Sequence, residues 1–167
     1  MAMSYLLSIF PAMMVVAAFS DLFTMTISNR ISLALIGTYL TMAISVSMPL
    51  NAIFDGLVCG LFVLIVSFGL FCRGWIGGGD AKLAAATAIW MGWSLVLDYV
   101  LAGTILGGFL TLTLLSLRAW PLPGFMIGYQ WVERLHDRNT GVPYGIALAA
   151  AGLMVYPTTD IYLRALT

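Results

Sequence analysis

No charged side chain interrupts residues 1–20, 31–54, 56–72, 83–97, 99–117 or 139–159 of this chain. A helix that crosses the hydrocarbon core of a bilayer needs roughly 17–25 mostly apolar residues, and the uncharged stretches fall at or near that length. Charged side chains make up 8% of the 167 residues, against about 25% in soluble domains. The expected fold class is therefore all-α, a polytopic integral membrane protein occupying 1–167 as a single transmembrane domain. No stretch is left over for a separate soluble domain.

Six transmembrane helices are expected, at about 4–20, 30–47, 53–72, 80–93, 95–117 and 142–161. The Pro-containing "SMPLN" (47–51) and the glycine of "MGWS" (91–94) supply tight turns. The fourth helix is short, and a re-entrant segment there is the alternative. The first stretch has no basic n-region and no small-x-small cleavage site, so it reads as a retained helix and not a secretory signal.

Seven basic and seven acidic residues can be read one by one. With six spans, Arg30, Arg73, Lys82, Arg118, Arg134 and Arg138 fall on one face, leaving Arg164 opposite. The positive-inside rule makes that face cytoplasmic and both termini external. Asp55, Asp98 and Asp160 then lie near the outer face. Balanced charge with no basic patch offers nothing to nucleic acid, so membrane lipid is the expected surroundings.

Cys59 and Cys72 are thirteen residues apart on one apolar run, which on one helix separates them by roughly 20 Å, too far for a disulfide. There is no CxxC pair, and His136 is a lone histidine among charges, so neither a metal site nor a cofactor is expected. In the loop 118–141, Phe125, Met126, Tyr129, Trp131 and Val132 precede a charged cluster. That order suits a short helix lying at the headgroup level, the alternative being a solvated loop.

Two carboxylates carry the chemistry. Asp21 ends the first helix and Asp80 begins the fourth, which puts both at the same membrane depth, where ionisable groups default to function. Facing carboxylates can share one proton, because like charges a few ångströms apart resist ionising together. One then acts as base on a water while the other, protonated, polarises a carbonyl. The alternative is two unrelated acids at helix ends. Before Asp80 stand Gly77, Gly78 and Gly79, whose missing Cβ atoms let backbone approach backbone, as an unwound peptide substrate would require. Lys82 adds a nearby positive charge or serves as an anchor.

These residues resemble the type IV prepilin peptidases, intramembrane aspartyl proteases of bacterial cytoplasmic membranes. The resemblance rests on Asp21 followed by Ile27-Ser28-Asn29, the GxGD element Gly77–Asp80 with Lys82, and the late "GVPYG" (141–145). It implies a GxGD aspartyl protease fold with Asp21 and Asp80 as the catalytic pair. Gly77, Gly78, Gly79, Lys82, Asn29 and Tyr144 are the candidate substrate-binding residues. The implied substrate is a prepilin or pseudopilin, cut on the cytoplasmic side just before its hydrophobic segment, with pilus assembly machinery as a further partner. Ser28 stands where the family usually has proline. Bifunctional members carry an added cytoplasmic segment with paired CxxC motifs, which methylates the new N-terminus. Nothing here matches it, so the chain is similar to the short, peptidase-only branch that processes Flp-type pilins of Tad systems.

Other function classes are less well served. A proton-coupled transporter would need further ionisable groups along the mid-spans, which are almost free of them. A non-catalytic assembly factor would have no use for the aspartate pair. Rhomboid-type serine chemistry would need a membrane Ser–His pair, and His136 lies in a loop.

Overall fold

A computed structural model describes residues 2–166, and every regular element among them is helical. The elements are α1 (Ala2–Thr24), α2 (Asn29–Ser45), α3 (Leu50–Cys72), α4 (Gly78–Arg118), α5 (Gln130–His136), α6 (Tyr144–Val155) and α7 (Asp160–Leu166), with short 3-10 turns at Gly124–Met126 and Tyr156–Thr158. Three helices are long and apolar enough to cross a membrane: Leu7–Thr24, Leu50–Cys72 and Gly78–Arg118. The pair Tyr144–Thr158 and Asp160–Leu166, bent by 48°, would make a fourth. Phe54, Leu61, Phe62, Ile65, Ile105, Phe109 and Leu112 are all more than half exposed. Apolar faces of that extent belong against lipid, and the chain is a membrane protein.

α1 continues beyond its expected end, so Asp21 lies in its last turn. The helix stops at Met25, whose φ of 53° is left-handed and whose N–H bonds back to the Asp21 carbonyl at 2.9 Å; a left-handed residue is a common way to end a helix. Ser28 then caps α2, its hydroxyl accepting from the Arg30 N–H at 3.3 Å. Ser28 thus has a helix-starting role, because a hydroxyl at the N-cap satisfies one of the four orphan donors of the first turn.

The expected turn at 91–94 is present as a break inside α4. Gly92 has φ 61° and ψ −177°, a conformation open to glycine and costly for other residues. Asp80 and Gly108 line one cavity, yet 28 residues of straight helix would hold them about 42 Å apart. The chain therefore doubles back at Gly92, and α4 is a hairpin of two limbs, 78–91 and 93–118. The first limb packs on α3, where the Gly60 Cα faces Ile89 and the Ala85 carbonyl. The second packs on α6, with Gly103 against Leu148 and Ala151, and Gly107 against the Tyr144 ring.

The sixth expected helix, 142–161, is divided in two. Pro157 sits in the first turn of the 3-10 segment that separates α6 from α7, because proline lacks the N–H that a continuous helix would use. At that end of the molecule a buried aromatic cluster joins four elements. Phe10 stacks on Tyr156 at 4.4 Å and meets Trp90 at 4.9 Å, while Tyr39 meets Trp90 edge-on at 5.6 Å. The Trp90 indole N–H donates to the Leu35 carbonyl at 3.1 Å, the partner that a buried tryptophan requires. Cys59 is buried, Cys72 is exposed, and both are free.

Between α4 and α6 the chain is tied down by Arg118. The sequence placed this residue only by face; in the structure it is buried, 6% exposed. Its guanidinium donates to the carbonyls of Leu135 (2.7 Å), Thr140 (3.2 Å) and Gly141 (2.9 Å), and to the Thr140 hydroxyl (3.3 Å). α5 is the short helix expected here, with Tyr129 and Phe125 exposed beside it. It docks on the end of α1, Trp131 edge-on to Phe23 at 5.3 Å and Arg134 donating to the Phe23 carbonyl at 3.0 Å. Arg118→Ala is expected to cost about 2 kcal/mol or more, since hydrogen bonds from a charged group are the stronger kind. Limited proteolysis in detergent should then cut within 118–141 much faster than in the parent; equal rates would show that the loop is held by other contacts.

Candidate active site

The four free N–H groups at the start of a helix need acceptors. α6 begins within "GVPYG", at Tyr144, and its N-cap, Pro143, has no side-chain acceptor to offer. The acceptor comes from Asp21, 124 residues upstream, whose Oδ2 receives the Gly145 N–H at 2.7 Å. Asp21 is 5% exposed, and it sits at the positive end of a helix dipole that is not its own.

Asp80 holds the equivalent place on its own helix. α4 starts at Gly78, so Asp80 is its third residue, and its carboxylate reaches back to the amide of the N-cap Gly77. This is the geometry by which an acidic third residue closes a helix start. A Cβ on Gly77 would stand 2.8 Å from Asp80 Oδ2. The other oxygen, Oδ1, is buried without a hydrogen-bond partner. A buried acceptor left open is costly and marks where a ligand or water can be received. Asp80 and Asp21 are close enough to interact electrostatically.

Between the two helix starts stands Ile27, 8% exposed. A Cβ on Gly79 would meet Ile27 Cβ at 3.1 Å and its backbone N at 3.3 Å. A Cβ on Gly145 would meet Ile27 Cδ1 at 2.6 Å and Asp21 Oδ2 at 2.8 Å. Glycine at both positions lets α4 and α6 close on one isoleucine. Within the glycine run, Gly79 gives room to Ile27, and Gly78 lies against the Phe71 ring. Gly79→Val is expected to force α4 away from Ile27 and lower activity strongly, with little change in membrane insertion. Parent-like cleavage by that variant would mean this close approach is not critical.

A cavity of about 610 Å³ opens from Asp80 between α3 and both limbs of α4, with Ser67, Leu70, Tyr99, Gly108 and Tyr144 in its wall. Tyr144 is held there by the Gly107 face and by the Thr111 hydroxyl, which donates to its own at 3.0 Å. Lys82 and Asn29 lie elsewhere. Residues two apart on a helix do not share a face, and Lys82 points away from the Asp80 cavity. It donates to Asn29 Oδ1 at 2.8 Å, at the rim of a second cavity of about 420 Å³ between α2, α3 and the first limb of α4. Asp55 and Asp160 line a third, of about 240 Å³, beside Gly92 at the far end of the first limb.

Residues 8–112 match the model of the type IV leader peptidase family. The chain belongs to that family. Searches of curated proteins and of solved structures returned no match. The family match covers Asp21, Asn29, the glycine run, Asp80 and Lys82 but stops before α6, so the leader-peptidase likeness does not itself extend to Tyr144 and Gly145. Gly145 and Ile27 were legible in the sequence only as members of the motifs at 141–145 and 27–29, without their packing against Asp21 and Gly79. The available signal was Pro143, which opens a helix but cannot cap it with a side chain.

Proposed function

We propose that this member of the type IV leader peptidase family is an intramembrane aspartic endopeptidase that removes the cytoplasmic leader from Flp-type prepilins or pseudopilins. The reading is carried by one observation: two carboxylates 59 residues apart in sequence serve two helix starts that close on the same isoleucine, Asp21 accepting from Gly145 of α6 and Asp80 in the first turn of α4. In the proposed reaction Asp21 and Asp80 share one proton. The ionised member takes a proton from water as the water oxygen attacks the scissile carbonyl, and the protonated member hydrogen-bonds the carbonyl oxygen. Collapse of the tetrahedral intermediate breaks the C–N bond, and the leaving amine takes up a proton from the pair. No metal or cofactor has a part in this scheme.

The proposal includes a GxGD arrangement of six transmembrane segments: α1, α2, α3, the two limbs of α4, and α6 with α7. The whole chain forms one domain in the bacterial cytoplasmic membrane, with the site at the cytoplasmic face and both termini outside. Gly77, Gly78, Gly79, Lys82, Asn29 and Tyr144 are proposed to contact the substrate. Membranes containing the protein should shorten a co-expressed Flp-type prepilin, with N-terminal sequencing placing the cut just before the hydrophobic segment. Failure to process any leader-bearing pilin would defeat the assignment.

A further inference from the structure

We infer that the cavity opening from Asp80 receives the apolar segment of the substrate that follows the scissile bond, and that the Lys82–Asn29 groove does not. This deepens, and rests on, the leader-peptidase reading. A peptide cut at Asp80 must continue in some direction on either side of the cut. The Asp80 cavity supplies one continuation. Along the second limb of α4 its wall runs from Val96 to Gly108, twelve residues or about 18 Å of helix. Val66 and Leu70 of α3 flank it at helical spacing, so the cavity is a trough parallel to the helices and almost wholly apolar. Polar chain entering it would lose its hydrogen bonds to water without replacement, whereas an apolar helical segment, its backbone internally bonded, would not.

Room exists where it is needed. A Cβ added to Gly108 would meet nothing within 4 Å, so that wall stands back from the trough. Asp80 lies in the wall at the site end, and its Oδ1 is buried and without a hydrogen-bond partner. The second groove is also apolar but shorter along its helices, and it has neither aspartate in its wall; Lys82 and Asn29 at its rim are bonded to each other.

α3 separates the two, which permits a direct test. Val66, 49% exposed, faces the Asp80 trough, and Leu64, 37% exposed, faces the other groove. The two differ in depth by only about 3 Å. Val66→Cys and Leu64→Cys would each be made with Cys72→Ser and paired with a Flp-type prepilin carrying one cysteine, stepped along the first turns of its hydrophobic segment. A disulfide is expected with Val66→Cys and its loss with Leu64→Cys. Gly108→Trp, a wedge in the trough, should abolish the Val66→Cys crosslink and slow cleavage. Crosslinking through Leu64→Cys alone, equal yields at both positions, or none at either despite normal cleavage would overturn the inference and leave the peptidase reading standing. A parent protein that cleaves no prepilin would instead remove the reading beneath it.

Discussion

Asp21→Asn and Asp80→Asn are each expected to lower prepilin cleavage by roughly 10²–10⁴-fold, the usual contribution of a general acid or base. Asparagine is the informative substitution because it preserves what the carboxylates do for the fold. At position 21 its amide oxygen can still accept the Gly145 N–H that now bonds Asp21 Oδ2 at 2.7 Å. At position 80 it can still reach back to the Gly77 amide. What it cannot do is take or give a proton at the scissile bond. Membrane insertion and thermal unfolding in detergent should therefore match the parent while the processed pilin band disappears. Appreciable cleavage by either variant would sink the catalytic assignment. Loss of both cleavage and folding would show that the carboxylates are chiefly structural caps.

The second large effect is expected from Gly145→Ala, a change of one methyl group. That methyl would stand 2.8 Å from Asp21 Oδ2 and 3.0 Å from Asp21 Cβ. The Cβ is fixed to the backbone of α1 and cannot rotate away, so either α6 shifts or the Asp21 carboxylate turns off its N–H donor. A hydrogen bond involving a charged group is worth roughly 1.5–3 kcal/mol, so misplacing the carboxylate should lower turnover on the order of 10- to 100-fold. The loss should appear in kcat more than in KM, because Gly145 orients Asp21 and is not proposed to grip the substrate. Trimming Ile27 to alanine should not rescue the variant, since the contact with Asp21 Cβ would remain. A Gly145→Ala enzyme of parental rate would show that the Asp21–Gly145 bond does not position the carboxylate.

Both effects turn on features with different visibility in the sequence. Asp80 was conspicuous, a charge after three glycines in an apolar chain. Asp21 was visible as the first charge after twenty uncharged residues. Gly145 was visible only as part of "GVPYG"; its bond to Asp21 was not, because that carboxylate lies 124 residues away. Arg118 was legible as a charge but not as the buried tie of the 118–141 loop, since hydrogen bonds to Leu135, Thr140 and Gly141 depend on where that loop folds. Pro157, which splits the last expected helix, was legible from proline chemistry alone, yet hydropathy carried the expected helix straight through it.

Alone, the sequence determined the apolar helices, their main breaks at Pro49 and Gly92, and the identity of the two acids. Those follow from local causes: backbone in a bilayer must bond to itself, proline and glycine interrupt that bonding, and rare charges at membrane depth stand out. Tertiary structure decided which helix start each acid occupies, that both helix starts close on Ile27, and that Lys82 turns to a different groove from its near neighbour Asp80. These are outcomes of how helices pack, and packing depends on side chains meeting across dozens of residues. "GGGDAK" marks one half of the site; the other half is assembled only when α6 arrives against α1.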